Sequence, residues 1–348
     1  MSVSQKEKMF FTEHLSLMLR GKTSLIEAIE ILKNETKSKT LKKTLDDVLK
    51  KVLEGESLHR SLERHSNVFD RFFQSIVRVG EESGTLEENL RYLSICLKSE
   101  YSLRRKIIGA LIYPILIVIT ALFVIIAITI FVLPKLLTLF KSLEIKLPLA
   151  TRILLGSGSF LQKHWAFLLA GTIFLVILYR ILRFSKTFGF YFDKIGLALP
   201  FFGTISKNHN LARFSRILFT LLKSGMSILE ALDICIESMS NQVYKKDLGI
   251  VRIGVERGEK ISQGLKQVPK TFSAIFAQMV FVGEETGTLE ESMLYLAEFY
   301  ESEVDSAAKG LLSIFEPALL ILVGLFVAFV VLAIITPIYQ FTSGLNVR

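Results

Sequence analysis

The residues with most chemical potential come as paired carboxylates. Glu81-Glu82 and Glu284-Glu285 each lie in a Gly-Glu-Glu-x-Gly-Thr-Leu-Glu-Glu signature, at 80–88 and 283–291. Adjacent carboxylates at the C-terminal end of a helix oppose its macrodipole, so a compensating cation is expected nearby. Two sources remain open: a neighbouring Arg such as Arg78 or Arg91 within the fold, or a divalent ion or basic partner from outside. Glu316, followed by Pro317, lies in a long apolar stretch, where an ionised group is costly unless it snorkels to the interface or meets another membrane helix.

Other chemistry is excluded by spacing. Arg20-Gly21-Lys22-Thr23-Ser24 ends like a phosphate loop, but Ser16 stands where a P-loop needs Gly and no strand precedes it. His14, His59, His65, His164 and His209 show neither HExxH nor paired spacing. Cys96 and Cys235 stand alone, as small apolar fillers. No nucleophile triad, metal cluster or dinucleotide loop emerges, so no cofactor and no enzymatic activity are expected.

Composition explains what must carry these residues. The 348-residue chain has 51% hydrophobic residues, 22% charged residues and a net charge of +9, with a mean hydropathy of +0.45. That is too apolar for an ordinary soluble protein and points to a membrane protein. Three stretches, 107–133, 165–182 and 311–336, are long and apolar enough to be read as spans. Pro114 and Pro317 should bend the first and third by removing a backbone hydrogen bond from each. The first 30 residues contain no secretory signal pattern, and Lys and Arg flanking the spans slightly favour a cytoplasmic N-terminus. Formal charge is +4 over 1–106, +4 over 134–164 and zero over 183–309, which is membrane-flank chemistry and excludes a nucleic-acid surface.

The chain is duplicated. An offset of 203 residues aligns VGEESGTLEENL at 79–90 with VGEETGTLEESM at 282–293, and also pairs Ser24 with Ser227, Glu27 with Glu230, Pro114 with Pro317 and Pro134 with Pro337. Within each copy apolar residues recur at helical spacing, as in Leu15, Met18 and Leu19 or Leu25, Ala28, Ile29 and Leu32. Capping boxes are expected for Ser24 with Glu27, Ser227 with Glu230, Thr85 with Glu88 and Thr288 with Glu291. Gly80, Gly84, Gly283 and Gly287 are assigned to the same helix–turn structure, with Gly84 and Gly287 ending the preceding helices in the left-handed conformation. The fold class is therefore all-α integral membrane protein: two repeated cytoplasmic helical bundles of five or six helices each, with three transmembrane helices. The expected divisions are 1–106 for the first bundle, 107–133 for a span, 134–164 for an external loop, 165–182 for a span, 183–310 for the second bundle, 311–336 for a span and 337–348 for an external tail. The middle span returns the chain so that both bundles face one compartment. Short joints at 101–106 and 304–309 would connect bundles to spans.

The twin signatures, LPLATRILLGSGSFL at 147–161, LPFFGTISKNHNLARFSRILFTLLKSGMSILEAL at 199–232, FEPALLIL at 315–322 and the terminal TPIYQF together resemble the inner-membrane platform protein of type II secretion systems and type IV pili. The resemblance covers roughly residues 8–343. It departs at Lys22, which stands where the second copy has Gly225 and leaves the shape of the first turn open; the extended N-terminal tail of some family members is also not seen. The family implies an oligomeric, non-catalytic platform in the cytoplasmic membrane. Its implied partners are a cytoplasmic hexameric ATPase, pilin-like subunits, other inner-membrane assembly proteins and membrane lipid. Residues expected to serve partner binding or coupling are Glu81, Glu82, Glu284, Glu285, Glu316, Pro114 and Pro317. A transporter or channel subunit is the competing class, but it would need several polar residues on facing spans, and the first span has no charged residue.

Overall fold

The structure is a computed structural model that describes residues 3–128, 131, 149–184, 186–200 and 202–345. Among these residues every regular element is a helix. The first repeat contributes α1 (Gln5–Arg20), α2 (Leu25–Glu35), α3 (Lys39–Leu53), α4 (Leu58–Glu63), α5 (Arg71–Glu82) and the long α6 (Leu86–Ala127). After α7 (Leu149–Phe184) and α8 (Lys186–Ala198), the second repeat contributes α9 (Phe202–Lys223), α10 (Ile228–Ser238), α11 (Gln242–Glu256), α12 (Ile261–Lys266), α13 (Ala274–Thr286) and α14 (Leu289–Leu345).

The short helices start where the chain supplies a side-chain acceptor for the orphan amides of a first turn. Ser24 accepts from Glu27 N at 3.2 Å and Ser227 from Glu230 N at 3.4 Å, but neither glutamate takes the serine amide in return, so these two expected capping boxes form by half. Asp70 and its repeat partner Ser273 do the same for Phe73 N and Phe276 N, at 3.0 and 3.2 Å.

The capping boxes expected for Thr85 with Glu88 and for Thr288 with Glu291 do not form. Thr85 Oγ1 lies 2.6 Å from Ser83 Oγ and accepts from Asn89 at 3.2 Å, while Glu88 takes the Tyr92 hydroxyl at 2.7 Å. Likewise Thr288 Oγ1 lies 2.7 Å from Thr286 Oγ1. A hydroxyl on the residue before the turn glycine is nearer than the amide three positions on, and it captures the threonine. Glu291 is an exposed residue in the first turn of α14. The backbone amide it was expected to cap, Thr288 N, already donates to Gly283 O at 2.8 Å, which leaves Glu291 no donor to reach back for. The role of Glu291 is therefore the favourable charge of an acidic first turn, without a reciprocal cap.

The chain divides into two compact units, Met1–Ile107 with Gly189–Ala307, and Ile108–Phe188 with Ala308–Arg348. In the first unit both repeats contribute to one apolar core, including Leu15, Ile29, Phe69 and Ile76 from the first and Phe214, Leu232, Tyr244 and Phe276 from the second. The aromatic centre of the second half packs edge to face, with Phe214 and Phe272 ring centroids 5.5 Å apart and Tyr244 and Phe272 5.6 Å apart.

The second unit contains the apolar parts of α6 and α14, together with α7. Side chains such as Ile112, Leu116, Ile119 and Phe123 on α6, Phe174 and Leu175 on α7, and Leu320 and Leu325 on α14 are exposed. Among the described residues α6 is long and apolar enough to cross a bilayer, and α14 carries the shorter apolar stretch Pro317–Ala333. α6 continues through Pro114 and α14 through Pro317 without interruption. At 42 and 57 residues these helices are about 63 and 85 Å long.

The expected joints at 101–106 and 304–309 fall where the chain passes from one unit to the other, and both are interior helix. Each segment is rich in helix formers and contains neither Gly nor Pro. Two boundaries move. α7 begins at Leu149, so the second half of the expected 134–164 loop is helical, and α14 runs to Leu345 through most of the expected tail. Residues 134–148 and 346–348, and the end of the expected first span at 129–130 and 132–133, lie outside the described residues.

Candidate functional site

The two signature turns have the same geometry. Gly84 and Gly287 take φ of 72° and 69°, the left-handed conformation that costs glycine no Cβ clash. Gly80 and Gly283 sit in the last helical turn before them. A Cβ on Gly80 would lie 2.9 Å from Leu86 Cα, and one on Gly283 would lie 2.5 Å from Ser292 Oγ and 3.0 Å from Leu289 Cα. These two glycines therefore let α6 and α14 start against the helices that precede them.

The carboxylates of the signature divide into an inner and an outer member. Glu81 reaches across to the start of α4, accepting from Leu58 N at 2.7 Å, His59 N at 3.0 Å and His59 Nδ1 at 2.7 Å. Glu284 accepts from Ile261 N at 2.6 Å and Ser262 N at 3.0 Å at the start of α12. Neither Ser57 nor Lys260, the residues before these helices, supplies a side-chain cap. The positive charge that the sequence demands beside each inner carboxylate is thus another helix's N-terminus. Glu82 is exposed, and Glu285, also exposed, pairs with Lys260. The arginines considered as partners for the pairs are engaged elsewhere: Arg78 with Glu230 and Arg91 with Glu88.

The turn carrying Lys22 has the same shape as its glycine counterpart. Lys22 has φ 63° and Gly225 has φ 86°. Thr23 N donates to Met18 O at 3.0 Å and Met226 N to Leu221 O at 3.2 Å. The hydrogen bonds that close the helix override the penalty of a side chain in this region.

A seam of polar contacts joins the two repeats inside the first unit. Arg71 and Arg78 on α5 pair with Glu237 and Glu230 on α10. Arg213 Nε on α9 lies 3.0 Å from Glu100 on α6, and Lys106 lies 3.6 Å from Asp305. Deeper in, Arg216 donates through Nε to Glu301 at 2.9 Å, and the Ser99 hydroxyl donates to the same carboxylate. Arg216 is only 8% exposed, so its charge persists because a carboxylate satisfies it. A cavity of about 20 Å³, room for one water, lies beside these groups and His209. Burial, with a smaller contribution from Arg213, pushes His209 down to about 4. Burial also drives the thiols of Cys96 and Cys235 well upward, which keeps them protonated and unreactive.

Sequence spacing did not reveal the seam, although one signal was present for the Arg216–Glu301 pair, which lies inside the second repeat beside it. At the 203-residue offset Arg216 and Glu301 correspond to Glu13 and Lys98, and Lys98 Nζ lies 3.5 Å from Glu13. The same contact is kept in both repeats with its charges exchanged.

The remaining candidates lie in the second unit. An apolar groove of about 370 Å³ runs between α6 and α14, flanked by Leu116, Thr120, Val124, Leu320, Val323 and Val327. Its hydroxyl is spent internally, Thr120 Oγ1 donating to Leu116 O at 2.9 Å. The groove offers no polar recognition, so its chemistry suits an apolar chain or helix. Glu316 lies in α14, and its side chain is outside the described residues. Among the described residues no group of three or more His, Cys, Asp or Glu side chains could hold a metal ion.

The family model for type II secretion system protein F matches twice, at residues 11–134 and 214–337, with starts and ends both displaced by 203 residues. The type IV pilus assembly protein PilC of Thermus thermophilus is 31% identical over 99% of this chain and 84% of its own length. PilC of Pseudomonas aeruginosa is 29% identical over 95% of this chain and 88% of its own. The type II secretion system protein F of Vibrio cholerae is 30% identical over 98% of this chain and 84% of its own. Two matched repeats and relatives aligned over nearly the whole length make this chain a member of the type II secretion system protein F family.

Proposed function

We propose that the chain is a multi-pass platform of the cytoplasmic membrane, coupling a cytoplasmic hexameric ATPase to the assembly of pilin-like subunits in a pilus or secretion system. The observation that carries this reading is the duplicated head. Two family domains share one core, and each leads through an unbroken helix into exposed apolar helix. A surface pushed on the aqueous side is then joined by continuous helix to a segment suited to lipid.

In this reading the spans are 107–133, 165–182 and 311–336, the N-terminus is cytoplasmic, and both heads face the ATPase. The chain performs no bond-making step. Glu82 and Glu285 are the members of the signature pairs turned toward the ATPase, while Glu81 and Glu284 keep the surface in shape. The groove between α6 and α14 receives the apolar helix of a subunit leaving the bilayer, and Pro114 and Pro317 soften the helices beside it. Glu316 offers that subunit, or a neighbouring protomer, a carboxylate.

The test is retention of the ring ATPase and pilin-like subunits on the tagged full-length chain, with Glu82→Lys and Glu285→Lys as variants. The unmodified chain should retain both partners, and the double charge reversal should lower ATPase retention at unchanged protein level. Absence of any ring ATPase from the isolated complex, or maleimide labelling that puts the two heads on opposite sides of the membrane, overturns the proposal.

A further inference from the structure

α8 (Lys186–Ala198) has two faces, and the second head accounts for one of them. Gly189, Phe190, Asp193, Gly196 and Leu197 recur at helical spacing and are buried or half-buried. Gln242 N, the first amide of α11, donates to Asp193 Oδ2 at 2.8 Å, and Lys246 Nζ lies 5.4 Å from the centre of the Phe190 ring. Leu197 packs against the apolar core. This face ties α8 to the start of α11 through a carboxylate set at a helix N-terminus and a cation over an aromatic ring.

The other face is apolar and exposed. Phe188, Tyr191, Phe192, Ile195 and Leu199 share an arc of about 100° around the helix axis, and the Leu199 amide, one residue past the helix, still donates to Ile195 O at 3.1 Å. Phe188, Tyr191 and Ile195 are 51, 58 and 59% exposed. Such a stripe is costly to leave in water. It is half aliphatic and half aromatic, and it includes a tyrosine, a residue that settles between hydrocarbon and water. The charge beside it is basic: Arg183, Lys186 and Lys194 lie within 183–199, while the one carboxylate of that stretch, Asp193, is turned to the head.

We propose that this face of α8 lies in the headgroup layer of an anionic bilayer surface, as an interfacial helix that seats the second head on the membrane. The proposal rests on the reading of 165–182 as a span, and the occupant follows from the continuity of the chain. Phe188 stands four residues beyond the end of α7 at Phe184, a reach of at most about 14 Å, so a helix that begins there begins at the lipid surface. A helix with an apolar face and lysines beside it sinks that face about 5–10 Å into the boundary between headgroups and acyl chains, and anionic lipid strengthens the hold. Asp193 and Phe190 on the opposite face then keep the start of α11 at a fixed height above the bilayer.

Depth measurement on the full-length chain in proteoliposomes tests this. Phe188→Cys, Tyr191→Cys and Ile195→Cys are each labelled with an environment-sensitive fluorophore; the native Cys96 and Cys235 are buried. Ile253→Cys, at an exposed position of α11, and Ile173→Cys, at an exposed position of α7, serve as references for water and for hydrocarbon. The three α8 labels should be quenched about twice as strongly by a lipid nitroxide near the headgroup as by one deep in the acyl chain, and more strongly still as the anionic lipid fraction rises. The label at 173 should answer to the deep nitroxide and the label at 253 to aqueous iodide. With the label at 173 behaving so, the proposal is overturned by iodide quenching of the α8 labels equal to that at 253, by protection from iodide and nitroxides alike, as a covering protein would give, or by indifference to anionic lipid. A label at 173 that the deep nitroxide does not reach overturns the span reading, and this inference with it.

Discussion

Glu284 and Glu285 are neighbours in sequence and do unlike work, and the difference is measurable. Glu284 ends the backbone amides of Ile261 and Ser262 with charge-assisted bonds in a half-buried setting, so Glu284→Ala should cost about 1.5–3 kcal/mol. Glu285 meets Lys260 in the open, and Glu285→Ala should cost about 0–1 kcal/mol. Urea unfolding of the detergent-solubilised chain separates the two, and equal losses would refute the division of roles. Lys22 supplies a second residue-scale case. Its left-handed backbone is the one Gly225 occupies without strain, so Lys22→Gly should stabilise by about 1 kcal/mol in the same assay, net of the entropy glycine gains in the unfolded chain. The identity of the signature glutamates and the left-handed glycines was legible locally. The partner of Glu81 and Glu284 was not, because it lies 22–23 residues upstream on another helix. Glu88 and Glu291 were misread for a nearer reason: the spacing of a capping box was present, but the threonine hydroxyls had a closer neighbour across the turn.

Among elements, the packing of α13 on α14 depends on a missing side chain. Gly283→Ala places a methyl group within 3.0 Å of the Leu289 backbone, which cannot rotate away, and should destabilise by about 1–3 kcal/mol. Gly249→Ala, on an open helix face, should be neutral or slightly stabilising. Thermal unfolding of both variants tests whether close approach, and not helix propensity, sets the requirement. Helix type and the starts after Ser24 and Ser227 were readable from periodicity and from the capping serines, because capping is decided within four residues; Asp70 and Ser273 carry the same local signal and emerged only in the structure. The merging of head and apolar segment into single helices was not readable, since a hydropathy boundary marks a change of surroundings and leaves the backbone hydrogen bonds untouched. α6 crosses that boundary near Ile107 with its ladder intact.

At the scale of the molecule, partly exposed ion pairs join the halves, and the buried Arg216–Glu301 pair of the second repeat stands beside them where Ser99 of the first repeat reaches the same carboxylate; two experiments address this region. Arg216→Ala should cost about 3 kcal/mol because it strands Glu301 among buried groups, whereas Arg216→Glu with Glu301→Lys, the arrangement found at Glu13 and Lys98, should recover part of that loss. A double-mutant cycle measures the coupling. The pH dependence has a definite sign. His209 is held near 4 in the fold and titrates near 6.5 when unfolded, so the unfolded chain binds more protons between those values. Stability should therefore fall as pH drops from about 6.5 to about 4, by on the order of 3 kcal/mol from this group, and His209→Gln should flatten that slope. The duplication itself was plain in the sequence, down to the 203-residue offset that the family match repeats. The asymmetry of the contact between the copies was hidden, because duplication is a statement about similarity and the seam is built where the copies diverged.

The exchanged ion pair and the one-sided seam give the two halves distinct identities. Arg71 and Arg78 find carboxylates only on the later half, while Ala274 and Phe281 bring no cations to repay the favour. Fission of the gene between the halves would leave fragments that each prefer the other to themselves, and two copies of either half fused in tandem would meet without their electrostatic key.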